Sequence, residues 1–246
     1  MGIIAIIQAR MGSTRFPNKV LTELCGKPML WHIVNRVRQS EFVSDVVIAT
    51  SVEQADDAVE QMAKENNILC WRGSQNNVLE RFYDCATKYQ ADIVLRLTGD
   101  NALVDAGLID MGITYFRENN FDYIYYREGL PLGMAVEIFT YAALKQAYEN
   151  AEDAQCLEHV TPYLYKNPEL FQCKHVPCVG EDYSHLRWTM DTKQDKELVM
   201  DIYENLYDKN QYFSFEDILK EYAGHPQWLH MNEDVEQKKV TYSGEA

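Results

Sequence analysis

The sequence predicts an α/β fold with a mostly parallel sheet flanked by helices. Three observations lead there. Short apolar, β-branched runs recur along the first hundred residues; helical-period segments separate them; and the strand centres are continuously apolar rather than alternating, as strands buried on both faces require.

Ile3 to Ile7 is the first strand, followed by a long Gly/Ser/Pro-containing loop over 9–27. Pro28 then stands where a helix begins, which suits its fixed φ and missing N–H, and Leu30, Ile33, Val34 and Val37 recur at helical spacing up to about Ser40. Asp45 to Thr50 is a buried strand, 54–66 a helix, Ile68 to Trp71 a strand, and Arg72-Gly73-Ser74 a turn. Asn77 to Tyr89 is a helix with Val78, Phe82, Cys85 and Tyr89 on one side, and Asp92 to Leu97 is a strand ending in Thr98-Gly99-Asp100-Asn101. Four strands alternating with three helices are the signature of a parallel sheet. The second half is less regular. Phe121 to Tyr126 and Met134 to Phe139 read as strands around the turn 128–133, a hairpin-like segment over 121–139. Helices are expected over 140–150, 155–166, 194–207 and 214–223, with strands at Phe171 to Val179 and at Leu186 to Met190. With no linker or repeat, one domain over 1–231 is expected, then a polar tail over 232–246.

Composition narrows the function. The 246 residues carry a net charge of −15, which argues against nucleic acid as partner, and no apolar run has the length of a membrane span. No targeting segment is read at the N-terminus. Six irregularly spaced cysteines fit a reducing compartment, so a cytoplasmic location is expected. Cys173, His175 and Cys178 offer three metal donors, but no second pair of ligands stands at zinc spacing. The charge is uneven. The first 38 residues hold six of the 23 Lys/Arg and one of the 38 acidic residues, leaving a net −20 on the remainder. A basic loop on an acidic body suggests a small anionic ligand rather than a polymer.

In open parallel sheets, ligands sit beyond the carboxyl ends of the strands. Arg10 to Lys19, Arg72-Gly73-Ser74, Gly99-Asp100 and Asp191 all fall at such ends. The first loop is neither a dinucleotide fingerprint nor a Walker A loop, since the glycine spacings are absent. Gly12 allows close backbone approach, and Arg10, Arg15 and Lys19 suit phosphate oxygens; a solvated surface loop explains the same residues as well. Asp100 and Asp191 fit a divalent cation held by carboxylates and phosphate, while a turn aspartate and a helix N-cap are the bland alternatives. No covalent nucleophile constellation is visible.

Six blocks in order carry a resemblance: Ile6-Ile-Gln-Ala-Arg-Met-Gly-Ser-Thr-Arg-Phe-Pro-Asn-Lys-Val-Leu21, Gly26-Lys-Pro-Met-Leu30, Arg72-Gly-Ser74, Arg96-Leu-Thr-Gly-Asp100, Glu158-His-Val-Thr-Pro-Tyr163 and Arg187-Trp-Thr-Met-Asp191. From residue 3 to about 205 the chain resembles the acylneuraminate and 3-deoxy-manno-octulosonate cytidylyltransferases, closest to the branch named for the spore-coat polysaccharide protein SpsF. The resemblance implies a Rossmann-like, glycosyltransferase-A-type nucleotidyltransferase that uses CTP, Mg²⁺ and a small anionic acceptor and releases pyrophosphate. It implies that Arg10, Gly12, Ser13, Arg15 and Lys19 hold the triphosphate, with Arg96 also on the nucleotide side. Ala9, Arg72, Gly73 and Ser74 would face base and ribose, and Asp100 and Asp191 would bind metal. Arg10 and Lys19 would join those aspartates in catalysis. Glu137, His159, Tyr163 and Arg187 would lie toward the acceptor. A homodimer through 121–139 is a further expectation of the resemblance. One departure stands out: Gly133-Met-Ala-Val-Glu137 replaces an expected Gly-Leu-Asp-Val-Glu, which bears on the acceptor. Two competing readings are a glycosyltransferase using a nucleotide sugar, which leaves the triphosphate grip unexplained, and a catalytically impaired nucleotide-binding subunit.

Overall fold

Strand β1 (Ile3–Gln8) is buried at its five apolar positions, and a run apolar on both faces needs cover on both. In the computed structural model, which describes residues 2–12, 16–177 and 180–237, β1 lies inside a seven-stranded sheet. Its partners are β4 (Asp45–Ser51) and β6 (Ile93–Thr98), both parallel to it. A two-residue hairpin, β2 (Glu23–Leu24) and β3 (Lys27–Pro28), interrupts the long first loop. Its turn residues Cys25 and Gly26 both have positive φ, 45° and 78°, the sign that two-residue hairpin turns demand. The sheet is completed by β5 (Leu69–Gly73), β7 (Tyr123–Glu128), β8 (Val136–Thr140) and β9 (Cys173–Pro177), in the order β5-β4-β1-β6-β8-β7-β9. Only β8 runs against the others.

Alternation along β1 divides the core. Ile3, Ala5 and Ile7 face α1 (Met29–Val37), α2 (Asp57–Glu65), α4 (Ala106–Asn119) and α8 (Lys193–Leu206), with α9 (Phe215–Tyr222) outside them. Ile4 and Ile6 face α3 (Val78–Lys88), α5 (Tyr141–Asn150), α6 (Ala154–His159) and α7 (Pro162–Lys166). No described helix is long and apolar enough to cross a membrane.

Several elements differ from the sequence expectation. Helix α4 fills the unassigned stretch between Asn101 and Phe121; glycines 107 and 112 weaken its helical pattern, but a Cβ on Gly112 would come within 3.2 Å of Ile138 Cδ1, so close packing on β8 selects glycine there. The helix expected over 155–166 is split into α6 and α7. Val160 between them has φ 71° and ψ −56°, and Thr161 N–H donates to the His159 carbonyl at 2.9 Å, a strained γ-turn for a β-branched residue. Leu186–Met190 is not a ladder strand but a single bridge, Leu132 to Arg187, because its N–H groups are shared between two loops: Trp188 N–H donates to the Leu132 carbonyl at 2.7 Å and Met190 N–H to the Asp100 carbonyl at 3.1 Å. Arg72 and Gly73 continue β5 instead of forming a turn. Strand β7 has both edges paired, and Tyr123 and Tyr126 are buried in this chain's own cores, so the exposed side chains of the 121–139 segment are others, such as Arg127. Asn232, at the start of the expected tail, is buried. Cys178 lies outside the described residues, and no cluster of three or more His, Cys, Asp or Glu able to hold a metal occurs among those described.

Candidate active site

The sheet brings the C-terminal ends of β1, β4, β5 and β6 to one edge. At the centre, β1 and β6 leave the sheet almost in contact: a Cβ on Gly99 would stand 3.1 Å from both Ala9 Cβ and the Gln8 carbonyl. This tight exit carries Ala9 and Arg10 after β1 and Asp100 after β6. Arg10 is exposed; with Gly12, Ser51, Glu53 and Gln75 it lines a cleft of about 140 Å³. The loop is pinned from below by Asp56, which accepts from Met11 N–H (2.7 Å), Ser51 N–H (3.1 Å) and the Ser51 hydroxyl. Burial opposes the charge on Asp56, but these donors outweigh it and hold its carboxyl below the usual range. The sequence reading placed Asp56 only within a helix; its signal is three-dimensional.

The next cluster is formed by residues far apart in the chain. Lys19 Nζ, on a 3₁₀ turn over Lys19–Leu21, stands 2.8 Å from Asp100 Oδ2 and 2.8 Å from Asp191 Oδ1. Burial would lower the Lys19 ammonium, yet the two carboxylates raise it above its ordinary value, so it is a fixed cation at neutral pH. Thr98 Oγ1 donates to the other oxygen of Asp100. Arg187 Nη2 approaches Asp191 Oδ2 at 3.3 Å, while its Nε and Nη2 form a fork on the buried Asp195 at 2.8 and 3.0 Å. The Lys19 ammonium fills the point on which the two carboxylates converge; with it turned toward phosphate, their hard oxygens would suit a divalent cation that takes its remaining ligands from phosphate and water.

A third cluster sits on β6 and β8. Glu137, 8% exposed, accepts from Arg96 Nη1, from Tyr123 Oη at 2.8 Å and from Thr161 Oγ1 at 2.7 Å. Arg96 also donates to Gln8 Oε1 at 3.0 Å. The strained turn at Val160 thus aims Thr161 at Glu137. His159 lies within the field of both Arg96 and Glu137, and burial lowers its pKa. Position 133 admits only glycine: its φ is 103°, and a Cβ would meet Thr189 N at 2.7 Å where the 131–134 loop crosses the segment leading to Asp191.

The remaining expected site residues stand apart. The Arg72 guanidinium is engaged by Asp57 (2.7 Å), Glu60 (2.9 Å) and the Ser51 and Glu53 carbonyls, tying β5 to α2. Gly73 packs on Arg81, and the Ser74 carbonyl accepts from Arg81 Nη1 at 2.7 Å. Burial, with Arg10 nearby, lowers Arg81 to about 10, still cationic at neutral pH. Tyr163 packs edge-on against Phe171. Ser13 and Arg15 lie outside the described residues.

Comparison with known proteins agrees with this geometry. A family model described as Cytidylyltransferase matches residues 4–246. The chain is 36% identical to the uncharacterized protein MJ1063 of Methanocaldococcus jannaschii, covering 97% of each chain. It is 36% identical to the spore coat polysaccharide biosynthesis protein SpsF of Bacillus subtilis over 82% of this chain and 86% of that one. A 3-deoxy-manno-octulosonate cytidylyltransferase of Trichlorobacter lovleyi matches at 34% identity over 48% of this chain and 46% of its own. Among solved structures, a cytidylyltransferase from Leptospira borgpetersenii superposes with a TM-score of 0.87 at 31% identity, covering 93% of this chain and 97% of that one. A CMP:2-keto-3-deoxy-manno-octonic acid synthetase complexed with CTP shares the fold, with a TM-score of 0.65 at 18% identity, covering 83% and 99% of the two chains. With a mostly parallel sheet, its strand-end cluster and a family match along nearly its whole length, the chain belongs to the cytidylyltransferase family and is a nucleotidyltransferase.

Proposed function

We propose that this protein transfers CMP from CTP to an acidic or phosphorylated sugar-like acceptor, releasing pyrophosphate, in the synthesis of a surface polysaccharide or modified sugar. The observation that carries the reading is the convergence of Lys19, Asp100 and Asp191 beyond the β1 and β6 strand ends. The acceptor class draws support from the names of the relatives, which speak of polysaccharide biosynthesis and of a sugar-acid cytidylyltransferase.

In this reading Arg10 and Lys19, joined by Arg15 as the resemblance implies, bind the triphosphate and orient it in the loop after β1. Asp100 and Asp191 would hold a divalent cation, taken as Mg²⁺, which when bound neutralises phosphate charge. The acceptor oxygen forms a bond to the α-phosphorus while the bond to the bridging oxygen breaks; the electron pair leaves with pyrophosphate. The chain's part is to position the reactants and stabilise the leaving group's charge, chiefly through Lys19 and Arg10. A carboxylate or phosphate acceptor arrives already ionised, so no strong general base is required of His159. Glu137 would lie toward the acceptor with its charge met by Arg96 on the nucleotide side, and Ala135 would provide a small, uncharged surface.

A thermal-shift screen with CTP, UTP, ATP, GTP, CMP and UDP-sugars, with and without Mg²⁺, tests the nucleotide. CTP with Mg²⁺ should raise the melting temperature most, since a ligand of the native state stabilises it by mass action. A pyrophosphate-release assay over sugar acids and sugar phosphates then tests the acceptor. Stabilisation by a nucleotide sugar and by no triphosphate would overturn the reading.

A further inference from the structure

Asp191 is useful to a cation only if its carboxylate is held toward Asp100, and the structure holds it from behind. Its backbone N–H donates to Asp195 Oδ2 at 3.0 Å, and Thr192 N–H donates to the same oxygen at 2.9 Å. Arg187, forked on Asp195, extends Nη2 to Asp191 Oδ2, which leaves Oδ1 for Lys19. Asp195 is fully buried, so the donors to its carboxylate oxygens must come from inside the protein. Asn232 supplies one. It comes from a segment 45 residues beyond Arg187, is 6% exposed, and its Nδ2 donates both to Asp195 Oδ1 and to the Arg187 carbonyl at 2.9 Å each. Gln237 accepts from Arg187 Nη1 at 2.6 Å.

We propose that Asn232 is a positioning residue for the cation site: by closing the Arg187–Asp195 fork it fixes the carboxylate of Asp191, so that the end of the chain sets metal affinity. One Nδ2 group spends both of its protons on the two partners whose alignment determines where Asp191 points. Without it, a buried carboxylate oxygen and a buried carbonyl each lose a donor, and the alignment of the fork rests on Arg187 and the Asp191 and Thr192 N–H groups alone. Outer partners of this kind tune a metal site without touching the metal. The Arg187 guanidinium is, by the same geometry, spent on Asp191, Asp195 and Gln237. The inference rests on the proposed role of Asp100 and Asp191.

The test is Mn²⁺ binding followed by electron paramagnetic resonance, on the full chain with saturating CTP. Wild type is compared with Asn232→Leu, which keeps size and loses both donors, and Asn232→Ser, which keeps one. CTP affinity without metal and melting temperature are measured alongside. Asn232→Leu should weaken Mn²⁺ binding about 10-fold or more, with Asn232→Ser in between and metal-free CTP affinity within about twofold. Asp191→Asn serves as the reference loss. Should Asn232→Leu fail to fold, Asn232→Ser and Gln237→Ala carry the test, with the same direction expected. A lower melting temperature with unchanged Mn²⁺ binding would make Asn232 merely structural and overturn the proposal. Failure of the wild type itself to bind CTP and Mn²⁺ would instead overturn the nucleotidyl-transfer reading, and this inference with it.

Discussion

The loop after β1 and the β8-β7 side of the sheet handle positive charge in opposite ways. On the β5-β4-β1 side the loop after β1 carries an exposed Arg10 beside a cleft, and the carboxylate beneath it, Asp56, is spent on backbone and hydroxyl donors. On the β8-β7 side and in the crossing segment behind it, Arg96 and Arg187 are each met by a buried carboxylate, Glu137 and Asp195. The first arrangement leaves cationic charge exposed at the surface, beside the cleft. The second spends it on rigidity, since a buried charge pair supported by further hydrogen bonds has few alternative geometries. Lys19 stands at the junction, an ammonium between two carboxylates.

The junction is where the comparison breaks most sharply. Asp100→Ala and Lys19→Ala should each lower turnover by about 10³-fold or more while circular dichroism shows a retained fold. Wild-type rates in both would remove them from the chemistry and leave the exposed cation of the first region without a purpose.

The next largest effect tests the second region as a frame. Glu137→Ala would strand Arg96 in the interior and should cost about 3–5 kcal/mol. For a chain of this size that is a fall of about 10 °C in melting temperature. Glu137→Gln, which keeps the size and some acceptors, should lose less. If Glu137→Ala melts like wild type and only acceptor saturation changes, the pair is a binding group and the contrast between the two regions fails.

The smallest effect concerns the hairpin in the first region. His32 Nε2 lies 2.7 Å from the Leu24 carbonyl, and burial, partly offset by that hydrogen bond, lowers the imidazole to about 4. The unfolded chain therefore takes up this proton near pH 6.5 and the folded chain only near 4. The stabilising difference is complete above pH 6.5 and is lost as the pH falls between those values. His159, lowered as well, acts in the same direction. Its contribution remains in His32→Gln, whose loss of stability between pH 7 and 4.5 should be smaller than wild type's by about 1–2 kcal/mol. Equal pH slopes in urea titrations would show that His32 does not control this hairpin.

Much of the first region was legible in the sequence because its signals are local. The apolar runs at Ile3 to Ile7, Asp45 to Thr50 and Asp92 to Leu97 announce buried parallel strands, and a βα repeat places their carboxyl ends together. That alone put Lys19 and Asp100 on one edge. Arg72 was less legible. The resemblance alone placed it toward base and ribose, and in the fold the carboxylates of Asp57 and Glu60, one helix away, engage its guanidinium. The second region was harder to read because its order comes from crossings. Helix α4 has a weak pattern of its own and is stabilised by what it packs on. The segment leading to Asp191 is held by single backbone contacts to Leu132 and Asp100 and by side chains rather than by a ladder.

The sequence by itself determined the parallel half of the sheet, the basic loop after its first strand and the aspartates that close two later segments, since periodicity, breakers and local charge are properties of neighbours in the chain. Only the tertiary structure decided which charges meet: that Lys19 lies between Asp100 and Asp191, that Glu137 neutralises Arg96, and that Asn232 returns from the far end of the chain to hold the fork behind Asp191. The physical reason is that burial makes an ionic group's energy depend on its partners in space, and those partners are brought together by packing across tens of residues that no local pattern encodes.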